Sequence, residues 1–399
     1  MKEYRLAVIG ADNRGKISTL AHQPERGFKL VAASSLNLEK MEVYRTTCGN
    51  EIRLTTDYRT IISDPSIDAV FVCTPDYLHE KHSLAAIRAG KSVFLEKPMA
   101  ISIKGCDRIL KAAQENGVKL YVGHNMRFYP VMRKMKELIM QGAIGRVEAI
   151  WCRHFISYGG DAYFKNWNSE RKKSTSLLLQ KGAHDLDIIQ WLAGAYPQVV
   201  VGMGKLSVYD KTTNRRSPED SGDYRWNLEH WPPLAQTGMS PVIDVEDHSM
   251  LMLQMENGVQ ASYTQCHYSP DAVRNYTIIG TEGRIENFGD SSTSTKNASV
   301  HLWNKRSSYA ERGNEIFEIP FVAGGHGGAD PQNVEAFLSL LLNESSSGAS
   351  PVDARMAVAA GCLGAESLRN GSRPKIVPPP PVYNITAAFT AASPSEKRS

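Results

Sequence analysis

The sequence predicts an α/β protein: an N-terminal doubly wound parallel sheet, followed by a C-terminal α+β domain with a large, mostly antiparallel open sheet. Three observations predict it. Short continuous apolar runs alternate with helical periodicities over the first 123 residues. From residue 147 strand patterns follow one another with little helix between them. Turn signals mark the joins.

In the first part, residues 4–10, 28–33, 69–73, 92–95 and 119–122 are runs of Val, Ile, Leu, Phe and Ala, as strands covered on both faces require. The stretches 79–89 and 103–116 carry apolar residues three and four apart, which is helical spacing. Right-handed crossovers then put ligands outside the carboxyl ends of the strands.

In the second part strands are expected at 147–155, 199–207, 248–255, 259–267, 275–280, 283–287, 300–303 and 316–320. Asn257-Gly258 and Thr281-Glu282-Gly283 are the turn signals. Helices are expected at 182–193, at 330–342 with Asp330 as its cap, and at 353–369. Residues 212–241 are polar, proline-containing and aperiodic, which predicts an inserted excursion or lid. The expected organisation is 1–123, then 124–377 with that insertion, then a mobile proline-rich tail over 378–399.

Lys and Arg number 46 against 42 acids, a net charge of +4, too balanced to point to nucleic acid or a membrane surface. The six cysteines are scattered without a C-x-x-C or C-x-x-H pair, which argues against a zinc site and a disulfide framework and suits a reducing compartment; no metal is expected. No stretch reaches the roughly 20 apolar residues of a membrane span, and the opening apolar run is too short for a signal peptide. A cytoplasmic protein is expected.

The chemistry gathers at strand ends. Gly10-Ala11-Asp12-Asn13-Arg14-Gly15 follows the first strand and opens a helix. A Rossmann phosphate loop has glycine at positions 10, 12 and 15, so that the backbone turns tightly and approaches a pyrophosphate at a helix N-terminus. Gly10 and Gly15 fit. Asp12 adds bulk and negative charge, and an ordinary turn with Asp12 as a cap is the competing reading. Gly10, Asp12, Asn13, Arg14 and Gly15 are the candidate contacts to NAD or NADP. After the second strand stand Ser34, Ser35, Leu36 and Asn37, with Lys40 near. No carboxylate is there to bind ribose hydroxyls, so Ser35 is the candidate and the choice of nucleotide stays open.

Thr74-Pro75-Asp76-Tyr77-Leu78-His79 follows the strand ending at Cys73, and Glu96-Lys97-Pro98 follows the strand at 92–95. Thr74, Pro75, His79, Glu96 and Lys97 should line one cleft, where a lysine can donate to a substrate oxygen or help deprotonate it. A solvated ion pair on a surface turn is the plainer alternative. Further on, Lys181-Gly182-Ala183-His184-Asp185-Leu186-Asp187 opens a helix. A histidine in a first turn has its protonated form disfavoured by the helix dipole, which suits a neutral base. The alternative is a packed histidine.

Taken in order, Gly10-x-x-x-x-Gly15, Thr74-Pro75-x-x-x-His79, Glu96-Lys97-Pro98, Asn125-x-Arg127-Phe128-x-Pro130 and Gly182-x-His184-x-x-Asp187 resemble the glucose–fructose oxidoreductase/inositol dehydrogenase (Gfo/Idh/MocA) family over residues 1–377. The resemblance implies hydride transfer between NAD(P) and a sugar, cyclitol or related polyol carbon. It also implies a homodimer or homotetramer formed through the C-terminal sheet. Lys97 becomes the catalytic-site lysine and His184 the proton-transferring or substrate-orienting histidine. The family pattern has Asp four residues before that histidine, where this chain has Gln180 beside Lys181. Arg127 is a further cofactor candidate, or else a structural link. Tyr158, Trp167, Lys181 and the glycine-flanked His326 are candidate substrate contacts. Two alternatives stay open: an NAD-dependent non-redox glycosidase on the same scaffold, and a nucleotide- or sugar-sensing protein without turnover.

Overall fold

A computed structural model describes residues 2–220, 227, 229–290, 297–380 and 382. Two compact units make up the chain. The first takes Met1–Phe128 and, from far along the sequence, Gly328–Arg355; the second takes Tyr129–Gly327 and Met356–Pro379.

The first unit holds β1 (Tyr4–Ile9), β2 (Phe28–Ser34), β3 (Arg53–Thr55), β4 (Ala69–Val72), β5 (Ser92–Leu95) and β6 (Leu120–Val122). They form one parallel sheet in the order β3-β2-β1-β4-β5-β6, with the strand order reversing between β1 and β4. β4 is buried throughout, as a strand covered on both faces must be. β3 has no apolar run, only Arg-Leu-Thr at the sheet edge, so its sequence carries no strand signal. Helix Ile103–Glu115 starts where the Ser102 hydroxyl accepts from the Gly105 N–H at 3.0 Å, and buries Cys106, Ile109, Leu110 and Ala113 along one stripe. Helix Asp76–Arg88 starts three residues before the expected 79, directly after Pro75, which has no N–H to leave unsatisfied.

Helix Ala329–Leu341, from far along the sequence, belongs to the first unit and packs on its sheet. Phe71, Phe94 and Tyr121 stack on adjacent strands at 4.8 and 5.4 Å. Phe337 meets Phe71 and Phe94 edge-on at 5.4 and 5.6 Å, and the Tyr121 hydroxyl donates to Asn333 at 2.7 Å. Each buried phenylalanine contributes about 1.5–3 kcal/mol, so the sheet keeps that helix.

The second unit holds β7 (Val147–Phe155), β8 (Pro197–Lys205), β9 (His248–Met255), β10 (Gln260–Cys266), β11 (Val273–Gly280), β12 (Arg284–Phe288), β13 (Ala298–Trp303), β14 (Glu315–Ile319) and β15 (Lys375–Ile376). Their order is β14-β13-β12-β11-β7-β10-β9-β8-β15. Every pairing is antiparallel except β7 with β10. Register separates two faces. Cys152, Tyr263 and Tyr276 align in one row and His154, Gln265 and Arg274 in the next, on the face packed by helix Gly182–Ala193. The opposite face carries Trp151, Met203, Met250 and Met252, between 45% and 58% exposed. The covered face therefore holds a polar row, His154, Gln265 and Arg274, among apolar ones such as Ile150, Ala261 and Ile278.

The 212–241 excursion is anchored rather than loose at its ends. Thr212, Gln236, Met239 and Ser240 are buried, and Met239 joins Ile156, Phe164, Leu177 and Tyr209 in an apolar cluster. Residues 221–226 and 228 of that segment, and nearly all of the tail expected from 378, lie outside the described residues. Among the described residues, no helix is long and apolar enough to cross a membrane.

Candidate active site

In the first unit the carboxyl ends of β1, β4 and β5 carry the residues singled out from sequence. A Cβ on Gly10 (φ +86°) would stand 2.7 Å from the backbone of Cys73 and Thr74, and one on Gly15 would stand 2.1 Å from the Gly10 carbonyl oxygen. Both positions need glycine, and the cradle they form is the close backbone turn a dinucleotide requires. The helix it opens, Asn13–Ala21, is 3₁₀ rather than α, with Asn13 in the left-handed region (φ +37°). Asp12 caps it by accepting from the Asn13 N–H at 2.8 Å, and pairs with Lys40 at 3.1 Å. Loop and cap are thus one structure, and Lys40 balances the charge of Asp12. Ser35 sits half-buried after β2, its N–H bonded to the Thr55 carbonyl at 3.2 Å.

Arg14 points elsewhere. Its Nε donates to Glu96 at 2.6 Å and its two terminal nitrogens to Asp330 at 2.7 and 3.0 Å. Asp330 accordingly does not cap its helix: Gly328 occupies the cap position, without a side-chain bond. Arg14 and Glu96 are therefore struts of the site, joining the phosphate loop to the Glu96-Lys97-Pro98 turn. His79 is a strut too. Its ring nitrogens stand 2.7 Å from the carbonyl oxygens of Pro98 and Thr74, and burial lowers its pKa. Arg127, another predicted cofactor contact, is buried and pairs with Asp353 at 3.2 Å. The Thr74 hydroxyl lies 3.2 Å from the His82 ring. Lys97 is half-buried, its N–H donating to Glu96 at 3.2 Å, and the Lys97–Pro98 peptide is cis.

Sequence reasoning passed over Asp76, although it stands inside the quoted Thr74–His79 segment. Its side chain is buried at the first turn of helix Asp76–Arg88, one carboxyl oxygen without a hydrogen bond among the described residues. Burial pushes its pKa up to about 8, with Lys97 opposing and Glu96 adding to the rise. A carboxyl that holds a proton near neutral pH thus shares a field with the lysine.

In the second unit His184 lies half-buried in the first turn of helix Gly182–Ala193. Asp187 is buried and accepts from Gln190 at 3.2 Å. Asp185, which the sequence reading left aside, is the hub. It pairs with Arg274 at 3.2 Å, lies 2.9 Å from the His154 ring, and accepts from the hydroxyls of Tyr263, at 3.0 Å, and Tyr276. Although burial works against ionisation, Arg274 and His154 hold the Asp185 carboxyl below the usual carboxylate range. Burial and Arg274 push His154 down to about 4. Lys181 lies 3.4 Å from the Tyr158 hydroxyl. Trp167 begins a short 3₁₀ turn, half-buried, and His326 is exposed in its glycine-rich loop with φ +52°. No group of three or more His, Cys, Asp or Glu among the described residues could hold a metal ion.

The family described as "Oxidoreductase family, NAD-binding Rossmann fold" matches residues 4–124, and its companion, "Oxidoreductase family, C-terminal alpha/beta domain", matches 136–376. The 1,5-anhydro-D-fructose reductase of Ensifer adhaerens is 32% identical over 213 residues, 52% of this chain and 63% of that protein. An inositol 2-dehydrogenase of Klebsiella pneumoniae is 32% identical over 190 residues, 47% of this chain and 54% of that protein. The alignments thus span between half and two thirds of those two relatives. A structure of levoglucosan dehydrogenase in complex with NADH and levoglucosan superposes with TM-score 0.77, covering 95% of this chain and 100% of that one. At 21% identity, that likeness shows the fold. With both halves of its length matched, this chain belongs to the Gfo/Idh/MocA oxidoreductases, and its N-terminal unit is the NAD-binding Rossmann domain of that family.

Proposed function

We propose that the protein is an NAD(P)-dependent dehydrogenase acting on a CH–OH carbon of a sugar, cyclitol or related polyol. The observation that carries this reading is Lys97 at the end of β5, in the field of the buried Asp76 and tied through Glu96 and Arg14 to the glycine cradle of Gly10 and Gly15. The names of the relatives support it, since they act on anhydro sugars and inositol.

When bound, the dinucleotide supplies the hydride chemistry. The loop of Gly10 to Gly15 would hold its phosphates, and Ser35 after β2 would meet its ribose. Lys97 Nζ polarises the reacting oxygen, and Asp76 holds a proton beside it. On the second unit, His184 and Tyr158 orient substrate hydroxyls. His79, Arg14 and Arg127 act as supports within the first unit.

The exposed stripe of Trp151, Met203, Met250 and Met252 favours a second copy of this chain as the cover of the open sheet. A cytoplasmic setting accords with the six dispersed cysteines. The test is fluorescence titration with NADH and with NADPH, followed by a polyol panel with the tighter nucleotide. Turnover of a polyol supports the reading. Binding of neither nucleotide overturns it.

A further inference from the structure

The end of the second strand is where a Rossmann domain reads the adenine ribose. A carboxylate there binds the free 2′-hydroxyl of NAD, or a cation takes the 2′-phosphate of NADP. This chain has neither at the strand end itself: Ser34, Ser35, Leu36, Asn37 and Leu38 carry no charge, and the first acid after them, Glu39, is exposed.

A carboxylate reaches the same edge of the sheet from the neighbouring strand. The N–H groups of Gly10 and Ala11 both donate to the Ser34 carbonyl at 2.9 Å, which stitches the glycine loop to the end of β2. Asp12 is the next residue. Its carbonyl accepts from the Gly15 N–H at 2.6 Å, its Oδ1 from the Asn13 N–H at 2.8 Å and its Oδ2 from Lys40 Nζ at 3.1 Å. The residue is thus held at its backbone and at both carboxylate oxygens. Lys40, six residues beyond β2, is held by that one contact, on a long side chain that is 56% exposed. Arg14 of the loop is bound to Glu96 and Asp330, and Arg45, after β2, to Glu42. Lys40 serves as the counterion of Asp12. A 2′-phosphate, with up to about two negative charges, could draw Lys40 only by taking it from Asp12, which would leave the fixed carboxylate uncompensated against the phosphate. A 2′-hydroxyl sets up no such contest.

We propose that Asp12 selects the nucleotide: its carboxylate, supplied by the glycine loop, stands in for the acid that β2 lacks and excludes the 2′-phosphate, so that the protein takes NAD(H) over NADP(H). Lys40 neutralises Asp12 and is thereby withheld from the phosphate. This assignment rests on the dehydrogenase reading above and concerns the first unit alone.

Fluorescence titration of the full chain with NADH and with NADPH reads this without any turnover. The wild type should bind NADH at least tenfold tighter than NADPH, and the margin should shrink as salt screens the carboxylate. Asp12→Asn keeps an oxygen for the Asn13 N–H, gives up the charge and frees Lys40. It should move the ratio of the two dissociation constants at least tenfold toward NADPH. Asp12→Ser, which also caps a helix, should move the ratio the same way and serves should the Asn variant fail to fold. Adding Lys40→Met to Asp12→Asn should remove most of the gain, because the freed lysine is what then meets the 2′-phosphate. A wild type that binds NADPH as tightly as NADH overturns the assignment. So does a ratio that stays within threefold of wild type in the Asn and Ser variants. Turnover of a polyol alongside either result leaves the dehydrogenase reading standing. A wild type that binds neither nucleotide sinks that reading and the selector with it.

Discussion

Arg14 and Asp330, 316 residues apart in the chain, meet in a two-pronged ion pair at 2.7 and 3.0 Å. The same guanidinium holds Glu96, so one arginine ties the phosphate loop, the Glu96-Lys97-Pro98 turn and the returning helix together.

Asp330→Ala should therefore cost about 1–3 kcal/mol, by leaving a partly buried guanidinium with one partner fewer. The same change should weaken NADH binding several-fold, because the loop loses a strut. Urea denaturation and nucleotide titration check the two effects separately. Unchanged NADH affinity would show that the loop holds its shape without Asp330.

Asp12 places a carboxylate where a glycine would let phosphates approach most closely. Asp12→Gly should tighten NADH binding at least threefold at low salt, and the gain should shrink as salt screens the charge. Fluorescence titration at two ionic strengths decides it.

Lys97→Ala should lower kcat by about 10²–10⁴-fold, the span of one positioned acid–base group. Nucleotide affinity should stay within threefold of wild type. Equal loss of both would place Lys97 in cofactor binding instead of chemistry.

Asp76 sets a stability trend of definite sign. Its folded pKa, about 8, lies above the ordinary value of 3.8, so the folded state binds the extra proton between those limits. Its contribution is fully present below about pH 4 and is lost as pH rises through 8, with a slope of up to about 1.4 kcal/mol per pH unit. Asp76→Asn should flatten that part of the curve of unfolding free energy against pH. A wild-type curve that rises from pH 5 to 8, with the Asn variant following it, would mean the carboxyl is ionised in the fold.

Asp185→Asn should destabilise by about 3–5 kcal/mol, since Arg274 would remain buried opposite a neutral amide. Chemical denaturation measures it.

The parallel sheet was legible because β4 is apolar throughout and β1 and β5 are apolar but for Arg5 and Ser92, and only the three-residue β3 escaped. The antiparallel strands were legible as alternation, but alternation does not say which face is covered. In β7 Trp151 is exposed alongside Glu148 and Arg153, while His154 faces inward. In β11 Arg274 is buried, a polar residue that sequence assigns to solvent. The charged hub escaped for that reason. Asp185 gave no signal beside His184, because its importance comes from β7, β10 and β11, none of them adjacent in sequence. Gly10 and Gly15 were legible because backbone crowding admits only glycine there. Arg14, His79 and Arg127, read from sequence as cofactor contacts, meet carboxylates and carbonyls in the fold, partners that sequence does not show.

The return of helix Ala329–Leu341 to the first sheet also fixes an order of assembly on the ribosome. Residues 1–128 emerge first, yet their aromatic ladder of Phe71, Phe94 and Tyr121 stays without Phe337 until some two hundred further residues have been made. The stretch Tyr129–Gly327 is made in between, and its own unit waits in turn for Met356–Pro379. The nucleotide-binding half, first to be started, is thus completed only after most of the second unit has been made. A fragment cut at residue 128 would be an open sheet with a wet aromatic face, prone to pair with whatever apolar surface it meets.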